Sequence, residues 1–217
     1  MAEHMCVTIV PLFEKLSDAD KEAINGLARH REYRKGELVF QPGDDELAIV
    51  ARGSMKVYQL SPSGKEQLLR VVRPGGYEGE SQLFGIANET LFAEAMEDTA
   101  ICSLSKKAFN QVLMSNPEIG IRLFELSSQK MVQMERQVQL LSLERVEERL
   151  AAYLLDLSEK EADAKIGLPM KMKDVSQYLG TTPETLSRKF RYLDDQGLIE
   201  RKGRTVTILD EDGLLDI

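Results

Sequence analysis

Cysteine, histidine and tryptophan are scarce in this chain. Its 217 residues include two cysteines, two histidines and no tryptophan. Cys6 and Cys102 are too few to form an extracellular disulfide framework, and two sulfur atoms cannot complete a four-cysteine zinc or iron–sulfur site. In a cytosolic protein such a pair is more often buried or a redox switch, so we expect no metal site.

Long apolar runs are missing as well. A stretch such as Leu47 to Ala51 is far too short to cross a bilayer or to form the core of a signal peptide. We therefore expect a cytoplasmic protein that has no membrane partner. His4-Met5 resembles a cloning remnant, in which case Met5 is the native start, so residues 1–4 carry no functional argument.

Charge is distributed unevenly along the chain. The net charge is −8, yet residues 169–209 carry +3, whereas residues 1–168 carry −7 and residues 210–217 carry −4. The basic segment is therefore the place to look for contacts with phosphate groups.

The hydrophobic pattern changes period after the first 35 residues. Ser17 or Asp18 would cap an N-terminal helix whose apolar residues recur at helical spacing: Ile24, Leu27 and Ala28. From Gly36 to Ser105, short runs of β-branched and aromatic residues alternate with turns that contain proline or glycine. This alternation predicts an antiparallel sandwich or roll.

After Pro117 the period becomes helical. Six residues recur at spacings of three and four: Phe124, Ser127, Met131, Met134, Val138 and Leu141. This seam is typical of a coiled coil, and it fits either pairing with a second copy of the chain or packing against the chain's own β region. A further helix is indicated by Leu150, Tyr153, Leu154 and Leu157, and Gly167-Leu168-Pro169 marks the start of a last domain.

The segment from Lys173 to Leu193 predicts two amphipathic helices around a tight turn. Gly180 suits the turn because glycine tolerates positive φ, and Thr182 with Pro183 forms a pair of N-cap and first helical residue. The apolar residues expected to face inward are Val175, Tyr178 and Leu179 in the first helix and Leu186, Phe190 and Leu193 in the second. The sequence therefore predicts a helix-turn-helix.

One face of the second helix carries polar side chains. Its members share the face opposite the apolar residues: Glu184, Ser187, Arg188 and Arg191. Arg188 can donate two hydrogen bonds to guanine, Glu184 can accept one from cytosine, and Ser187 can serve a base or a phosphate. The same spacing also fits a solvated charged face that is held by an ion pair between Glu184 and Arg188.

The segment from Gly197 to Ile208 has the pattern of a strand, a basic turn and a strand, which is typical of a wing. This second feature favours DNA binding over a solvated face. The side chains expected to contact the DNA backbone are Thr182, Lys189 and Arg191 of the helix region and Arg201, Lys202 and Arg204 of the wing. Such contacts supply sequence-independent affinity, while the helix supplies specificity.

These motifs resemble the CRP/FNR superfamily of transcription regulators, nearer its FNR side. The resemblance covers almost the whole chain and rests on Glu184-x-x-Ser187-Arg188, on Glu147 to Tyr153, and on Phe92 to Glu97 with Cys102. It implies an α+β chain with an N-terminal antiparallel β-roll, which is a double-stranded β-helix like that of cyclic-nucleotide-binding domains. A long dimerisation helix and a C-terminal winged helix-turn-helix follow.

The resemblance also implies how the chain is organised and what it binds. The expected domains are a sensory β-roll with its N-terminal helix at residues 5–115, a dimerisation helix at 116–143 and a DNA-binding domain at 144–217. Glu184, Ser187 and Arg188 would recognise TTGAT-like half-sites in an inverted repeat of double-stranded DNA. A change in the β-roll would tilt the two DNA-binding domains of a homodimer, and RNA polymerase is an expected partner.

Two departures from the family bear on the signal. Gly79-Glu80 matches cyclic-nucleotide sensors, but Thr90-Leu91 stands in place of their phosphate-binding Arg-Ser pair, and Met134-Glu135 replaces their adenine-contacting hydroxyls. Without that guanidinium a cyclic phosphate loses its main charge-assisted contact, so we expect no response to cAMP. Because Cys6 alone remains of the N-terminal cysteine group, we expect no iron–sulfur cluster and no other cofactor.

The remaining pattern resembles the Flp branch of FNR-like regulators, in which an N-terminal cysteine and a β-roll cysteine form a reversible disulfide. By that resemblance, Cys6 and Cys102 form a redox switch that operates by thiol–disulfide exchange. The alternative is that Cys102, which alternates with Leu104 along a strand, is simply a small buried hydrophobic residue.

Two other functions fit parts of the sequence. A small-molecule effector lodged between β-roll and dimer helix, near Met131 and Met134, would replace the thiol switch and keep the DNA-binding output. An enzyme built on a similar double-stranded β-helix needs a cluster of histidine and carboxylate ligands, and residues 36–105 contain no histidine. We therefore expect no catalytic residues.

Overall fold

The structure is a computed structural model that describes residues 6–217, with side chains from Val7 onward. The chain divides into two compact units, Met1–Met131 and Val132–Ile217. Within the described residues, no helix combines the length and the apolar character that crossing a membrane requires.

The first unit begins with helical segments. Two short 3-10 helices, Cys6–Thr8 and Pro11–Phe13, precede helix α1, Asp18–Leu27. The prediction of a capped helix is confirmed with Ser17 as the cap, because its side-chain oxygen accepts a 3.2 Å hydrogen bond from the backbone N–H of Asp20. The helical spacing of apolar residues does not predict burial at the last turn of α1, where Leu27 is 39% exposed.

Eight strands follow: β1 Arg29–Tyr33, β2 Leu38–Phe40, β3 Glu46–Arg52, β4 Met55–Leu60, β5 Glu66–Val72, β6 Tyr77–Glu78, β7 Leu91–Ala95 and β8 Thr99–Ser105. They form two antiparallel four-stranded sheets, with strand orders β1-β8-β3-β6 and β2-β7-β4-β5. The four-residue helix α2, Glu80–Leu83, follows β6. The predicted antiparallel β-roll is confirmed.

Two hydrophobic clusters stabilise this unit, one on each side of the sheet that contains β8. Between the two sheets lie Val50 and Ile101 of one sheet and Val57 of the other. The opposite face is covered by the N-terminal segments, by α3, Lys106–Ser115, and by the start of α4, Glu118–Ser142. The buried residues of this second cluster include Val7, Phe13, Ile24, Ile49, Cys102, Leu104, Phe109 and Leu123.

The long helix α4 spans Glu118–Ser142, close to the predicted 116–143. Its first turns are anchored by Ile119 and Leu123, which are 1% and 2% exposed. Most of the predicted seam is open to solvent: the exposed fractions are 74% for Phe124, 58% for Met131, 49% for Met134 and 68% for Val138, and Leu141 is half-buried. Burial against the chain's own residues therefore does not explain this seam.

The second unit is built from helices and a small sheet: α5 Val146–Glu161, β9 Lys165–Gly167, α6 Met172–Tyr178, α7 Pro183–Asp195, β10 Ile199–Lys202, β11 Thr205–Ile208 and α8 Glu211–Leu215. The strands form an antiparallel sheet with the order β10-β11-β9. Its core contains Leu150, Leu154, Val175, Leu186, Phe190 and Val206, each at most 1% exposed. The winged helix-turn-helix is confirmed.

Two features of this unit differ from the sequence prediction. Residues 167–169 do not begin a new domain, because Ile166 of β9 pairs with Val206 of β11 and makes the segment part of the wing sheet. The acidic tail forms α8, which was not predicted. Asp210 caps this helix by accepting a 2.9 Å hydrogen bond from the backbone N–H of Gly213.

Candidate nucleic-acid interface

Helix α7 is fixed at its start and along one face. Thr182 accepts a 3.2 Å hydrogen bond from the backbone N–H of Thr185, and Pro183 occupies the first helical position, as predicted. The apolar face packs towards α5 and α6, with Leu186, Phe190 and Leu193 fully buried. These contacts determine which face of α7 is free to meet a ligand.

The opposite face of α7 is solvent-exposed, and it carries the four predicted polar residues: Glu184, Ser187, Arg188 and Arg191. A guanidinium nitrogen of Arg188 donates a 3.1 Å hydrogen bond to the hydroxyl of Thr185. Within residues 7–217 no ion pair joins Glu184 to Arg188, so the charged face is not held by the pair that its spacing allows. The hydrogen-bonding groups of this face therefore remain available to a partner.

Lys189 has a partner inside its own unit. Its ammonium lies 2.9 Å from a carboxylate oxygen of Glu147 on α5. Partial burial opposes ionisation of Glu147, but the hydrogen bond and the charge of Lys189 outweigh it and hold the pKa of Glu147 below its ordinary value. Lys189 therefore joins α7 to α5, and its contact with the DNA backbone stays a prediction.

The wing is a tight hairpin. Lys202 and Thr205 are paired residues, and Gly203 at φ +66° with Arg204 forms the two-residue turn. Lys202 points into solvent, where its ammonium forms an exposed 2.8 Å ion pair with Glu200. Such exposed pairs contribute little free energy and are easily exchanged for a phosphate contact.

The other two wing arginines have contacts within the unit. The guanidinium of Arg201 lies 4.4 Å from the ring centre of Phe190, and its burial lowers its pKa. Arg204 donates a 2.7 Å hydrogen bond to the carbonyl of Leu168. Arg201 thus joins the wing to α7 instead of pointing outward, which corrects its predicted location at the tip, whereas Arg204 is exposed.

Arg149 lies within the motif Glu147 to Tyr153 and acts as a positioning residue. The sequence did not predict this role. Arg149 donates a 2.8 Å hydrogen bond from its guanidinium to the carbonyl of Leu179, at the turn between α6 and α7. This contact ties α5 to the helix-turn-helix. A long-range contact of this kind has no signature in local sequence.

The β-roll has a half-open cavity of about 440 Å³ beside Gly79-Glu80. Gly79 has φ +99°, and a side chain there would collide with the carbonyl oxygen of Glu46. The predicted Thr90-Leu91 lies in the lining together with Arg70 and Gln82. The buried side-chain oxygen of Gln82 has no hydrogen-bond partner among the described residues.

The guanidinium beside this cavity is already engaged. Arg70 forms two hydrogen bonds of 2.5 Å with Glu78, which is 2% exposed. The ammonium of Lys130 on α4 lies 2.8 Å from both Glu78 and Glu80. Burial opposes ionisation of Glu78, but Arg70 and Lys130 outweigh it and keep the pKa of Glu78 below its ordinary value. The sequence reasoning missed this network.

Cys102 lies on β8, is 1% exposed and faces the helix-covered side of its sheet. Its sulfur atom is 3.2 Å from Nδ1 of His30 on the neighbouring strand β1. The prediction that Cys102 and Leu104 are buried is confirmed. The side chain of Cys6, the other half of the predicted switch, lies outside the described residues.

Comparison with known proteins matches both units. Residues 30–116 match the family profile of the cyclic nucleotide-binding domain, and residues 148–217 match that of the Crp-like helix-turn-helix domain. The chain is 39% identical over 214 residues to the "Probable transcriptional regulator flp" of Lacticaseibacillus casei. The match covers 98% of this chain and 98% of that protein. The chain is also 30% identical over 202 residues to the nitrogen fixation regulation protein FixK of Bradyrhizobium diazoefficiens, covering 90% of this chain and 84% of that protein.

A solved structure shows the same architecture. FixK2 from Bradyrhizobium japonicum matches with a TM-score of 0.69 and 25% identity, over 87% of this chain and 96% of its own. These relatives are regulators and not enzymes, and the full-length match to the first of them includes both the β-roll and the winged helix-turn-helix. The chain belongs to the CRP/FNR family of DNA-binding transcription regulators.

Proposed function

We propose that this regulator is a cytoplasmic homodimer that binds an inverted repeat of TTGAT-like half-sites and responds to redox state. The observation that carries the DNA-binding part is the exposed face of α7. Glu184, Ser187 and Arg188 lie near the helix N-terminus and opposite its buried face, where a recognition helix enters the major groove. RNA polymerase is the expected further partner once the dimer is on DNA.

Base recognition follows from the chemistry of this face. Arg188 can donate two hydrogen bonds to O6 and N7 of guanine, and Glu184 can accept one from N4 of cytosine. Thr182, Arg191, Lys202 and Arg204 are exposed and serve as the proposed contacts to the DNA backbone. Their affinity for phosphate is independent of sequence and falls with salt.

A titration of fluorescently labelled DNA by anisotropy tests the DNA-binding proposal. The protein is titrated at one salt concentration into an inverted repeat of TTGAT-like half-sites and into a scrambled duplex of equal length. We expect the specific site to bind at least about 10³-fold more tightly. Equal affinity for both duplexes contradicts the proposal.

The seam of α4 supports the homodimer. Phe124, Met131 and Val138 expose apolar side chains along one face of the helix, at spacings that a second copy can match. Exposed apolar rows of this kind are unfavourable in water unless a partner covers them. A symmetric pair of recognition helices also suits an inverted repeat.

The thiol switch is proposed between Cys6 and Cys102. The backbone of the 3-10 helix Cys6–Thr8 packs near β3, and β3 pairs with β8 so that Ile49 lies opposite Cys102. Val7, the neighbour of Cys6, is fully buried in the same cluster as Cys102. This proximity of the two segments supports the proposal, since a disulfide needs Cα atoms within about 7 Å.

We further propose that the β-roll does not respond to cAMP and holds no iron–sulfur cluster. The residues around the cavity do not fit a cyclic phosphate, because Glu78 and Glu80 add negative charge and Arg70 is paired with Glu78. Thr90 offers only a hydroxyl, which accepts a 3.0 Å hydrogen bond from Gln59.

A second candidate keeps the DNA-binding output but places a non-cAMP effector in the β-roll. The cavity of about 440 Å³ with the unpartnered oxygen of Gln82 favours it. The cavity is lined by residues between Phe40 and Leu91, so Met131 and Met134 are not among its walls. A thermal-shift screen distinguishes the two, because a bound effector raises the unfolding midpoint and a thiol switch needs none.

A further inference from the structure

Helix α4 is held against the β-roll first by apolar and then by polar side chains. Its apolar contacts with the second hydrophobic cluster come from Ile119, Leu123 and Leu126, and Leu126 is the last of these along the helix. Polar contacts follow at Ser127 and Lys130. Burial of apolar surface has no preferred direction, whereas a hydrogen bond does. The polar contacts are therefore the ones that can determine how α4 is rotated about its axis.

Lys130 makes the most closely defined of these contacts. Its ammonium lies 2.8 Å from a carboxylate oxygen of Glu78 and 2.8 Å from one of Glu80. It also donates a 3.4 Å hydrogen bond to the carbonyl of Tyr77. Ser127, one helical turn earlier, forms a side-chain hydrogen bond with the same tyrosine. Each of the three ammonium protons of Lys130 thus has an acceptor on β6 or α2.

The charge balance of this site makes the contact costly to break. Glu78 and Glu80 carry two negative charges, and Arg70 supplies one positive charge through its hydrogen bonds to Glu78. The side chains of Glu78 and Lys130 are 3% and 19% exposed. If Lys130 turned away, one carboxylate of this mostly buried site would lose its counter-charge, which is strongly unfavourable.

The direction of Lys130 also determines where the apolar seam points. Successive residues of an α-helix are rotated by about 100°, so Met131 lies roughly a quarter of a turn around the axis from Lys130. Phe124 precedes Met131 by two helical turns and lies on the same side of α4. These two seam residues are 58% and 74% exposed for Met131 and Phe124. With Lys130 held by the carboxylates, the seam is turned towards solvent.

We propose that Lys130 fixes the rotation of α4 and thereby presents the apolar seam to a second copy of the chain. The inference rests on the proposed homodimer and adds the residue through which the β-roll influences it. Lys130 is a positioning residue, because it faces Glu78 and Glu80 of its own chain and not the second copy. The charges of the β-roll thus bear on the association of two α4 helices.

Sedimentation velocity of the full-length protein across a concentration series tests this proposal. Lys130→Met keeps an unbranched side chain and removes its charge. A double variant, Lys130→Met with Glu80→Gln, leaves Arg70 and Glu78 as a balanced pair, so that the β-roll keeps its charge balance. We expect the dimer dissociation constant to rise by at least about tenfold in both, because fewer molecules hold α4 in the competent rotation. An unchanged dissociation constant in the double variant overturns the proposal.

Hydrogen exchange measured by mass spectrometry separates local release of α4 from general destabilisation. In the double variant, the amides of residues 77–83 and 124–135 should exchange faster than in the wild type, since their mutual contact is lost. The amides of β3 and β8 should keep their wild-type rates. Equal acceleration throughout the β-roll would show that the substitutions act through overall stability, which overturns the proposal.

Arg136→Met is the matched control. It removes one positive charge from the same helix, but the Arg136 side chain is 60% exposed and its ion pair with Asp156 is 3.7 Å long. Arg136 lies two residues before Val138 and therefore on another side of α4. Because such a pair contributes little free energy, the dissociation constant should stay within about twofold of the wild-type value. A rise as large as that of Lys130→Met would overturn the specific role of Lys130.

The wild type and Val138→Asp separate this proposal from the homodimer itself. A wild type that stays monomeric over the whole series refutes the homodimer, and the role of Lys130 falls with it. If the wild type dimerises and Val138→Asp weakens the dimer while the double variant does not, the homodimer stands and the role of Lys130 alone is refuted.

Discussion

Arg188 and Arg201 show how two arginines of one unit acquire different roles. Arg188 is exposed on α7, where its only hydrogen bond within the described residues goes to the hydroxyl of Thr185. Arg201 is half-buried against the ring of Phe190. The first can exchange its contact for a base at little cost, while the second stabilises the attachment of the wing.

Arg188→Ala should therefore reduce binding to the specific duplex by about 1–3 kcal/mol, because a bidentate contact to guanine is lost. Affinity for scrambled DNA should change far less, and the unfolding midpoint should stay the same. Anisotropy titrations against both duplexes measure the difference. An equal loss on the two duplexes contradicts a base-recognition role.

Lys202→Ala should behave differently at the same interface. A lost phosphate contact weakens binding to specific and scrambled DNA equally and lowers the slope of log affinity against log salt by about one per half-site. Titrations at four salt concentrations determine that slope. A loss confined to the specific duplex would show that Lys202 contacts a base.

The buried carboxylate of Glu78 leads to a prediction about the free energy of unfolding. Its lowered pKa means that it stabilises the folded state above the ordinary carboxyl pKa of about 4.3, and that this contribution disappears as pH falls through the folded pKa. Glu78→Gln should lower the free energy of unfolding at pH 7 by about 3–5 kcal/mol, since Arg70 and Lys130 lose their buried partner.

Urea unfolding at a series of pH values measures this effect. The difference between Glu78→Gln and the wild type should shrink in acid, and a difference that is constant with pH contradicts the assignment. Glu32→Gln is the control, because its ion pair with Arg52 is exposed and contributes less than about 1 kcal/mol.

At the scale of single residues, local sequence predicted caps and apolar faces but not distant partners. Thr182, Leu186 and Phe190 follow from neighbours within one or two helical turns, and the structure bears them out. The partners of Lys189 and Arg201 lie on other elements, Glu147 and Phe190. Their places on the second helix and in the wing predicted phosphate contacts for both cations, and local sequence cannot show that each also has a partner within the unit.

Helix α4 is the element whose proposed role depends on a second chain. Val138→Asp should weaken self-association by at least about tenfold, because each copy would bring a charge into the apolar seam. Sedimentation velocity across a concentration series measures the change. Val132→Asp is the matched control, since Val132 is 48% exposed on another face of the same helix. Equal association of Val138→Asp and wild type contradicts the proposed seam.

At the scale of elements, period and turn signals predicted an antiparallel sandwich or roll, the long helix and the wing, since each depends on short-range pattern. The choice of a β-roll came from the family resemblance. Period and turn signals did not predict strand order. β8 lies between β1 and β3, and that pairing joins Cys102 to His30 and to Ile49, which are 72 and 53 positions away in the chain. For the same reason the contact of His30 with Cys102 could not be found in the sequence.

At the scale of the whole molecule, net charge differs between parts of the chain. Residues 169–209, which contain α6, α7 and the wing, carry +3, while residues 1–168 carry −7. A basic winged helix-turn-helix in an acidic chain concentrates attraction for DNA on one surface and disfavours nonspecific contact elsewhere. Both the charge asymmetry and the family matches are consistent with DNA as the macromolecular ligand.

The central claim is that the thiol pair of the first unit controls specific DNA binding by the second. Anisotropy titration of the inverted repeat and its scrambled control, with protein reduced by dithiothreitol or oxidised by peroxide, tests this most directly. The account predicts that affinity for the specific duplex differs between the two states in the wild type, and that Cys6→Ser and Cys102→Ser each abolish the difference. Specific binding that is identical in the reduced and oxidised wild type would contradict it.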